Sequence, residues 1–127
     1  MLRTQYITCF ITIFLLQFSV DAQIRSNSHV RSLTVDDGLP QGFITGIVQD
    51  KQGFMWLSTS DGLARYDGKN IKVFYHDAAD SNSLSTNIIN HLFIDKENNI
   101  WIQHSNGATD ILNAVTEKFK HLSTEKE

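Results

Sequence analysis

Trp56 and Trp101 are the side chains of this sequence best suited to stack on the apolar face of a sugar, and Asp50 and Asp95 are its best-placed carboxylates. Both pairs have a simpler role. The two tryptophans share one mid-strand register between apolar neighbours, which is where repeated units bury their faces against one another. Asp50 and Asp95 each end a strand just before a turn, where a carboxylate accepts the backbone N–H groups of that turn. Asp36 and Asp37 are adjacent, so on a strand they point to opposite faces and cannot converge on one substrate. A turn ahead of Gly38 suits them better. The five histidines, His29, His76, His91, His104 and His121, have no metal-ligand spacing. His104 is expected to be a solvated loop residue near a strand end. No catalytic, cofactor-binding or metal residue is expected.

What positions these residues is an internal repeat. An offset of 45 pairs Asp50-Lys51 with Asp95-Lys96, Leu39 with Leu84, Ile44 with Ile89 and Trp56 with Trp101. The same offset, without a gap, pairs Ser60 with Ser105, Gly62 with Gly107 and Phe74 with Phe119. Asp50, Trp56, Gly62, Asp95, Trp101 and Gly107 are therefore the structural repeat positions.

Each unit reads as short strands broken by turns. Phe43 to Gln49, Phe54 to Thr59, Leu63 to Tyr66 and Ile71 to Tyr75 are expected strands, separated by Lys51-Gln52-Gly53, Ser60-Asp61-Gly62 and Asp67-Gly68. Gly and Asp tolerate the positive φ that tight hairpins need. The second unit repeats the plan, with strands at Ile88 to Ile94 and Ile100 to Gln103. The polar stretch 76–87 joins the units over the surface. Strands of this length without helical periodicity make an antiparallel meander. Four strands in about 40–45 residues is the size of one β-propeller blade, and a ring has 4–8 of them. The expected fold is all-β: two four-stranded antiparallel blades of an incomplete propeller. His29 to Val35 reads as an orphan outer strand, the last strand of a blade whose other strands are absent.

Residues 1–22 are set apart from the fold. Arg3 precedes an apolar run from Ile7 to Phe18, and Val20-Asp21-Ala22 ends it with a cleavage pattern. The run fits a secretory signal peptide and falls short of the ~20 apolar residues of a spanning helix. Cleavage after Ala22 and a periplasmic location are the expectation. The sole cysteine, Cys9, lies inside this segment, so the mature chain has no disulfide. With 20% charged residues and a net charge of -3, no basic surface invites nucleic acid.

The run Leu33-Thr34-Val35-Asp36-Asp37-Gly38-Leu39-Pro40-Gln41-Gly42 strongly resembles the opening of two-component regulator propellers. The resemblance continues through Ile47 to Thr59, Asp61 to Gly68, Asn82 to Ser85 and Ile94 to Ile102. The second unit departs from the family pattern at Gln103-His104, and Ala108, Asp110 and Ile111 replace the Leu, Arg and Tyr of the first. The resemblance implies the N-terminal periplasmic sensor region of a Bacteroidetes-type hybrid two-component sensor. Such proteins continue into further blades, a membrane helix, and kinase, receiver and DNA-binding modules, and typically sense oligosaccharides to regulate polysaccharide utilisation. The chain is thus expected to be an N-terminal fragment: signal peptide 1–22, closing strand 23–38, first blade 39–75, linker 76–83, second blade 84–122 and tail 123–127. An oligosaccharide ligand is expected only in a complete propeller, and membrane attachment only through a downstream helix. The alternatives are a carbohydrate-binding protein that self-associates through its exposed blade faces and, less well supported, a propeller-fold polysaccharide lyase.

Overall fold

The computed structural model describes residues 30–122. The signal peptide over 1–22 and the tail over 123–127 lie outside the described residues. Both blades lie within one compact unit, Ser32–Glu127.

Eight strands form two separate four-stranded meanders. The first sheet is β1 (Ile44–Gln49), β2 (Met55–Thr59), β3 (Gly62–Tyr66) and β4 (Ile71–Phe74). The second is β5 (Ile89–Ile94), β6 (Asn99–His104), β7 (Thr109–Asn113) and β8 (Phe119–Leu122). Every neighbouring pair is antiparallel and consecutive in the chain. The all-β reading with two four-stranded blades is therefore what the molecule has.

The turn chemistry explains the matching starts of the two sheets. After β1, Gly53 sits at φ +91°, and its N–H donates to the Asp50 carbonyl at 3.0 Å. After β5, Asn98 takes the same place at φ +71°, its N–H reaching the Asp95 carbonyl at 3.2 Å. Asparagine is the side chain that best tolerates this region after glycine.

The ungapped offset of 45 holds only through the second strand. Trp56 pairs with Arg65, whereas Trp101 pairs with Ile111, so the offset across β7 is 111 − 65 = 46. Between Thr59 and Gly62 stand Ser60 and Asp61, but the His104 N–H reaches the Ala108 carbonyl over Ser105, Asn106 and Gly107. The longer loop closes through Gly107 at φ +86°. Gly62 and Gly107 thus hold different ladder positions, and Phe74 corresponds to Leu122 rather than Phe119. A side chain at Gly62 would meet the Phe74 carbonyl at 2.9 Å.

The main core lies between the sheets. Trp56 and Leu63 of the first blade meet Leu84, Ile89, Leu92, Ile100, Ile102 and Leu112 of the second, with Val48 and Phe74 packed alongside. The order of the faces shows in equivalent residues: Ile47 is 56% exposed, whereas Leu92 is 9% exposed, because only the second blade has a neighbour on that side. On the opposite face Phe93 is 55% exposed, while Val48, its equivalent, packs into the joint.

Of the outer strand expected over His29 to Val35, the described residues 30–35 form no strand. Residues 30–34 pair with no ladder, and Val35–Asp37 form one 3-10 turn, ended by Gly38 at φ +106°. The Asp37 carboxylate closes that turn, accepting the Thr34 N–H at 2.9 Å and its hydroxyl at 3.0 Å. A strand needs an edge to pair with, and the edge this segment would meet in a ring belongs to a blade beyond the second. Leu33 and Leu39 instead lie against Leu57 and Ala64, on the first blade's open face.

Candidate functional site

Four constellations set the molecule's surface and joint, and each is built from the turns upward. The first is a carboxylate–indole pair, present twice. Asp50 Oδ1 accepts the backbone N–H groups of Gln52 at 2.9 Å and Phe54 at 3.0 Å, which is the turn-capping role expected of it. Its Oδ2 accepts the Trp56 indole N–H at 2.8 Å. Asp95 repeats the arrangement with the Asn99 N–H at 2.8 Å and the Trp101 indole at 2.9 Å. The Trp101 hydrogen bond, helped by the Asn99 amide, holds the Asp95 carboxyl below its ordinary range. Both carboxylates are spent on structure.

Trp56 is fully buried, stacked on Phe74 at 5.5 Å, as core packing requires. Trp101 occupies the equivalent ladder position but is only half-buried. The six-residue spacing from aspartate to tryptophan, present in both repeats, is the signal for the indole bond; the two residue types taken separately do not show it.

The second constellation links the β1–β2 turn to the β5–β6 turn. Asn98 Oδ1 accepts the Lys51 N–H at 2.8 Å, and its Nδ2 donates to Gln52 Oε1 at 2.9 Å. Lys51 Nζ donates to the Lys96 carbonyl. The third is Glu117, in the β7–β8 turn at φ +54°, whose carboxylate pairs with Arg65 and Lys72 of the first blade. Arg65 also lies over the Phe54 ring at 4.6 Å. Burial works against ionisation of Glu117, but the Lys72 and Arg65 contacts outweigh it and lower its pKa.

The fourth corrects the reading of His104. It is not a solvated loop residue: it ends β6 with its side chain fully enclosed, and Nε2 meets Asp110 Oδ2 at 2.7 Å. Asp110, also enclosed, accepts the Ser85 N–H at 2.8 Å, the Ser85 hydroxyl at 2.5 Å and His121 Nδ1 at 2.7 Å. Burial pushes against the Asp110 charge, and the bonds from His104, His121 and Ser85 overcome it, leaving its pKa far below the carboxylate range. A polar neighbour and a strand end point His104 toward water in the sequence. The extra residue in the next loop places Asp110 beside it instead.

Ser85, His121 and Asp110 have the residue types of a hydrolytic triad without its geometry. The hydroxyl donates to the carboxylate, and the far nitrogen of His121 faces the Ser81 carbonyl at 2.9 Å. Ser85 Oγ lies 3.0 Å from His121 Nδ1, but that same nitrogen is 2.7 Å from Asp110 Oδ1, whereas a triad places the serine and the carboxylate on opposite nitrogens of the ring. Among the described residues no group of three His, Cys, Asp or Glu is arranged to hold a metal, and no helix is long and apolar enough to cross a membrane.

The fold and both repeats lead to a known class of protein. The family described as two component regulator propeller matches residues 38–61 and 83–106, one stretch in each blade. A histidine kinase, P4, of Formosa agariphila is 41% identical over 70 residues, covering 55% of this chain and 5% of its own length. The extracellular domain of BT3049 from B. thetaiotaomicron, assigned to the hybrid two component systems, superposes with a TM-score of 0.67 at 30% identity. That match covers 72% of this chain and 13% of the other. The extracellular domain of BT4673 from the same organism shares the fold at 25% identity and a TM-score of 0.52, over 72% of this chain and 14% of its own. Residues 38–61 and 83–106 each carry a two component regulator propeller repeat, and the fold around them is similar to that of the extracellular domain of a hybrid two component system. The chain spans a small fraction of the length of each of these relatives.

Proposed function

We propose that this chain is part of the exported sensing propeller of a hybrid two-component signalling protein, periplasmic after removal of residues 1–22, and that the propeller it belongs to recognises oligosaccharides. One observation carries this reading: both blades bear the regulator-propeller repeat, joined face to face as adjacent members of a ring. The extracellular position of the similar domains supports export. The oligosaccharide ligand rests on the family resemblance. The chain's own residues are compatible with recognition without turnover, since its best-placed carboxylates and its serine–histidine–aspartate group are all committed to structural hydrogen bonds.

N-terminal sequencing of the chain recovered from periplasm tests the export half, and the expected first residue is Gln23. Retention of the leader in a cytoplasmic product sinks it. Calorimetric titration with a panel of oligosaccharides tests the ligand half. Saturable binding without product is expected from the propeller containing these blades, and release of shortened or unsaturated sugars would establish the lyase reading instead.

Self-association through the outer faces is the second reading, favoured by the exposure of Phe93 beside the half-buried Trp101. A second copy would not seat as the two blades do. Gly46 lies where a Cβ would come 3.0 Å from Leu92, and its equivalent in the second blade is His91. Light scattering over a dilution series separates a monomer from such an assembly.

A further inference from the structure

We propose that Asp110 and His121 form a protonation-dependent clasp that fastens the inter-blade segment 76–87 to the outer edge of the second blade, closed when His121 is charged and released when it loses its proton. The geometry requires a charged ring. His121 Nδ1 lies 2.7 Å from Asp110 Oδ1, and Nε2 lies 2.9 Å from the Ser81 carbonyl. Nδ1 also lies 3.0 Å from Ser85 Oγ, but the serine proton is donated to Asp110 Oδ1 at 2.5 Å; with that proton committed and both partners accepting, the doubly protonated imidazolium is the form that satisfies both contacts at once. A neutral ring gives up one of them.

The clasp joins three strands to the segment. Asp110 comes from β7, His104 from β6 and His121 from β8, while the segment contributes the Ser81 carbonyl and the Ser85 hydroxyl and N–H. The titratable groups facing His121 are the Asp110 carboxylate and, across that carboxylate, His104. His104 Nδ1 is buried without a hydrogen-bond partner, and its Nε2 faces Asp110 Oδ2 at 2.7 Å. The solvent-facing member of the cluster is His121, whose side chain is 41% exposed and exchanges its proton freely, whereas His104 and Asp110 are enclosed.

What the clasp holds matters to the joint. Next to Ser85 is Leu84, 1% exposed in the inter-blade core. Three residues before Ser85 is Asn82, whose Oδ1 accepts the Phe119 N–H at 3.0 Å on β8. The first blade has no such device. The ladder places Ala64 and Val73 where the second blade has Asp110 and His121, and Pro40 stands at the repeat position of Ser85. The clasp is therefore a feature of this blade rather than of the repeat.

The sign comes from the hydrogen bonds. The Asp110 contact, with the Ser81 carbonyl, raises the His121 pKa above its ordinary 6.5. The contribution of a group raised on folding is complete below the unfolded value and is lost as pH rises through the folded one. Hydrogen exchange of the Ser85 amide in the full chain, corrected for intrinsic rates, reads the clasp directly. Its protection is expected to fall about fivefold between roughly pH 6 and pH 9, the worth of one partly exposed charge-assisted bond. Amides of Ile102 and Leu112 should stay unchanged over that range. His121→Val, the residue of the first blade, should remove the pH dependence, and His121→Gln, which cannot acquire the charge, should do the same while keeping a polar side chain. Protection of Ser85 that does not vary with pH, a parallel loss at Ile102, or an undiminished pH profile in both variants would overturn the proposal.

Discussion

The Trp56 indole donates to Asp50 Oδ2 at 2.8 Å, and the same carboxylate caps the turn through which the chain leaves β1. One side chain thus fixes both the hairpin and the orientation of the largest ring in the joint. Removing it in Asp50→Ala leaves a buried indole N–H and two turn amides without a partner. The expected cost is about 2–4 kcal/mol, from the desolvation of groups left unpaired. Asp95→Ala should cost less by the same reasoning, because the half-buried Trp101 can turn to water. Urea unfolding of the two variants against the parent measures the difference.

Fluorescence separates the two tryptophans, which are the only ones in the sequence. With Trp101→Phe, the remaining Trp56 should emit at short wavelength and resist iodide. With Trp56→Phe, emission should shift to the red and quench readily. Equal quenching would mean that the inter-blade joint does not form in solution.

Asn98 tests the bridge between turns. Asn98→Gly retains the positive φ and removes only the bonds to Lys51 and Gln52, at an expected cost of about 1 kcal/mol. Asn98→Ala adds the strain of a Cβ in the left-handed region, about 1 kcal/mol more. The order Asn, Gly, Ala in thermal midpoint is the prediction.

Glu117 sets an acid-side dependence. Its pKa is lowered on folding, so its contribution is present above the ordinary value of 4.5 and fades as pH falls through the folded value. The group and its partners are partly exposed, so the contribution is at most about 1 kcal/mol and should shrink with added salt. Glu117→Gln should abolish both dependences in denaturation measured between roughly pH 3 and pH 6.

How much of the molecule is legible in the sequence depends on the range of the interaction. Strand positions, the turns at Gly53 and Gly68, and the capping by Asp50 and Asp95 all arise from neighbours within one hairpin. Alternation and turn residues encode such contacts in order along the chain. The repeat offset carries them into the second blade as far as Trp101. There one added loop residue moves β7, and the longer turn before β8 moves that strand by two more, so a fixed period runs straight through both changes.

What only the tertiary structure decided lies across the joint and around Asp110. The sequence determined two blades and the identity of their repeat, because each hairpin's local pattern is complete within itself. It did not determine that Asn98 and Glu117 would hold the first blade, that His104 would be enclosed, or that residues 30–34 would form no strand. Those outcomes depend on which surfaces meet and which edge is available. Side chains as far apart as Arg65 and Glu117, or Ser85 and His121, carry no common period that would announce their contact.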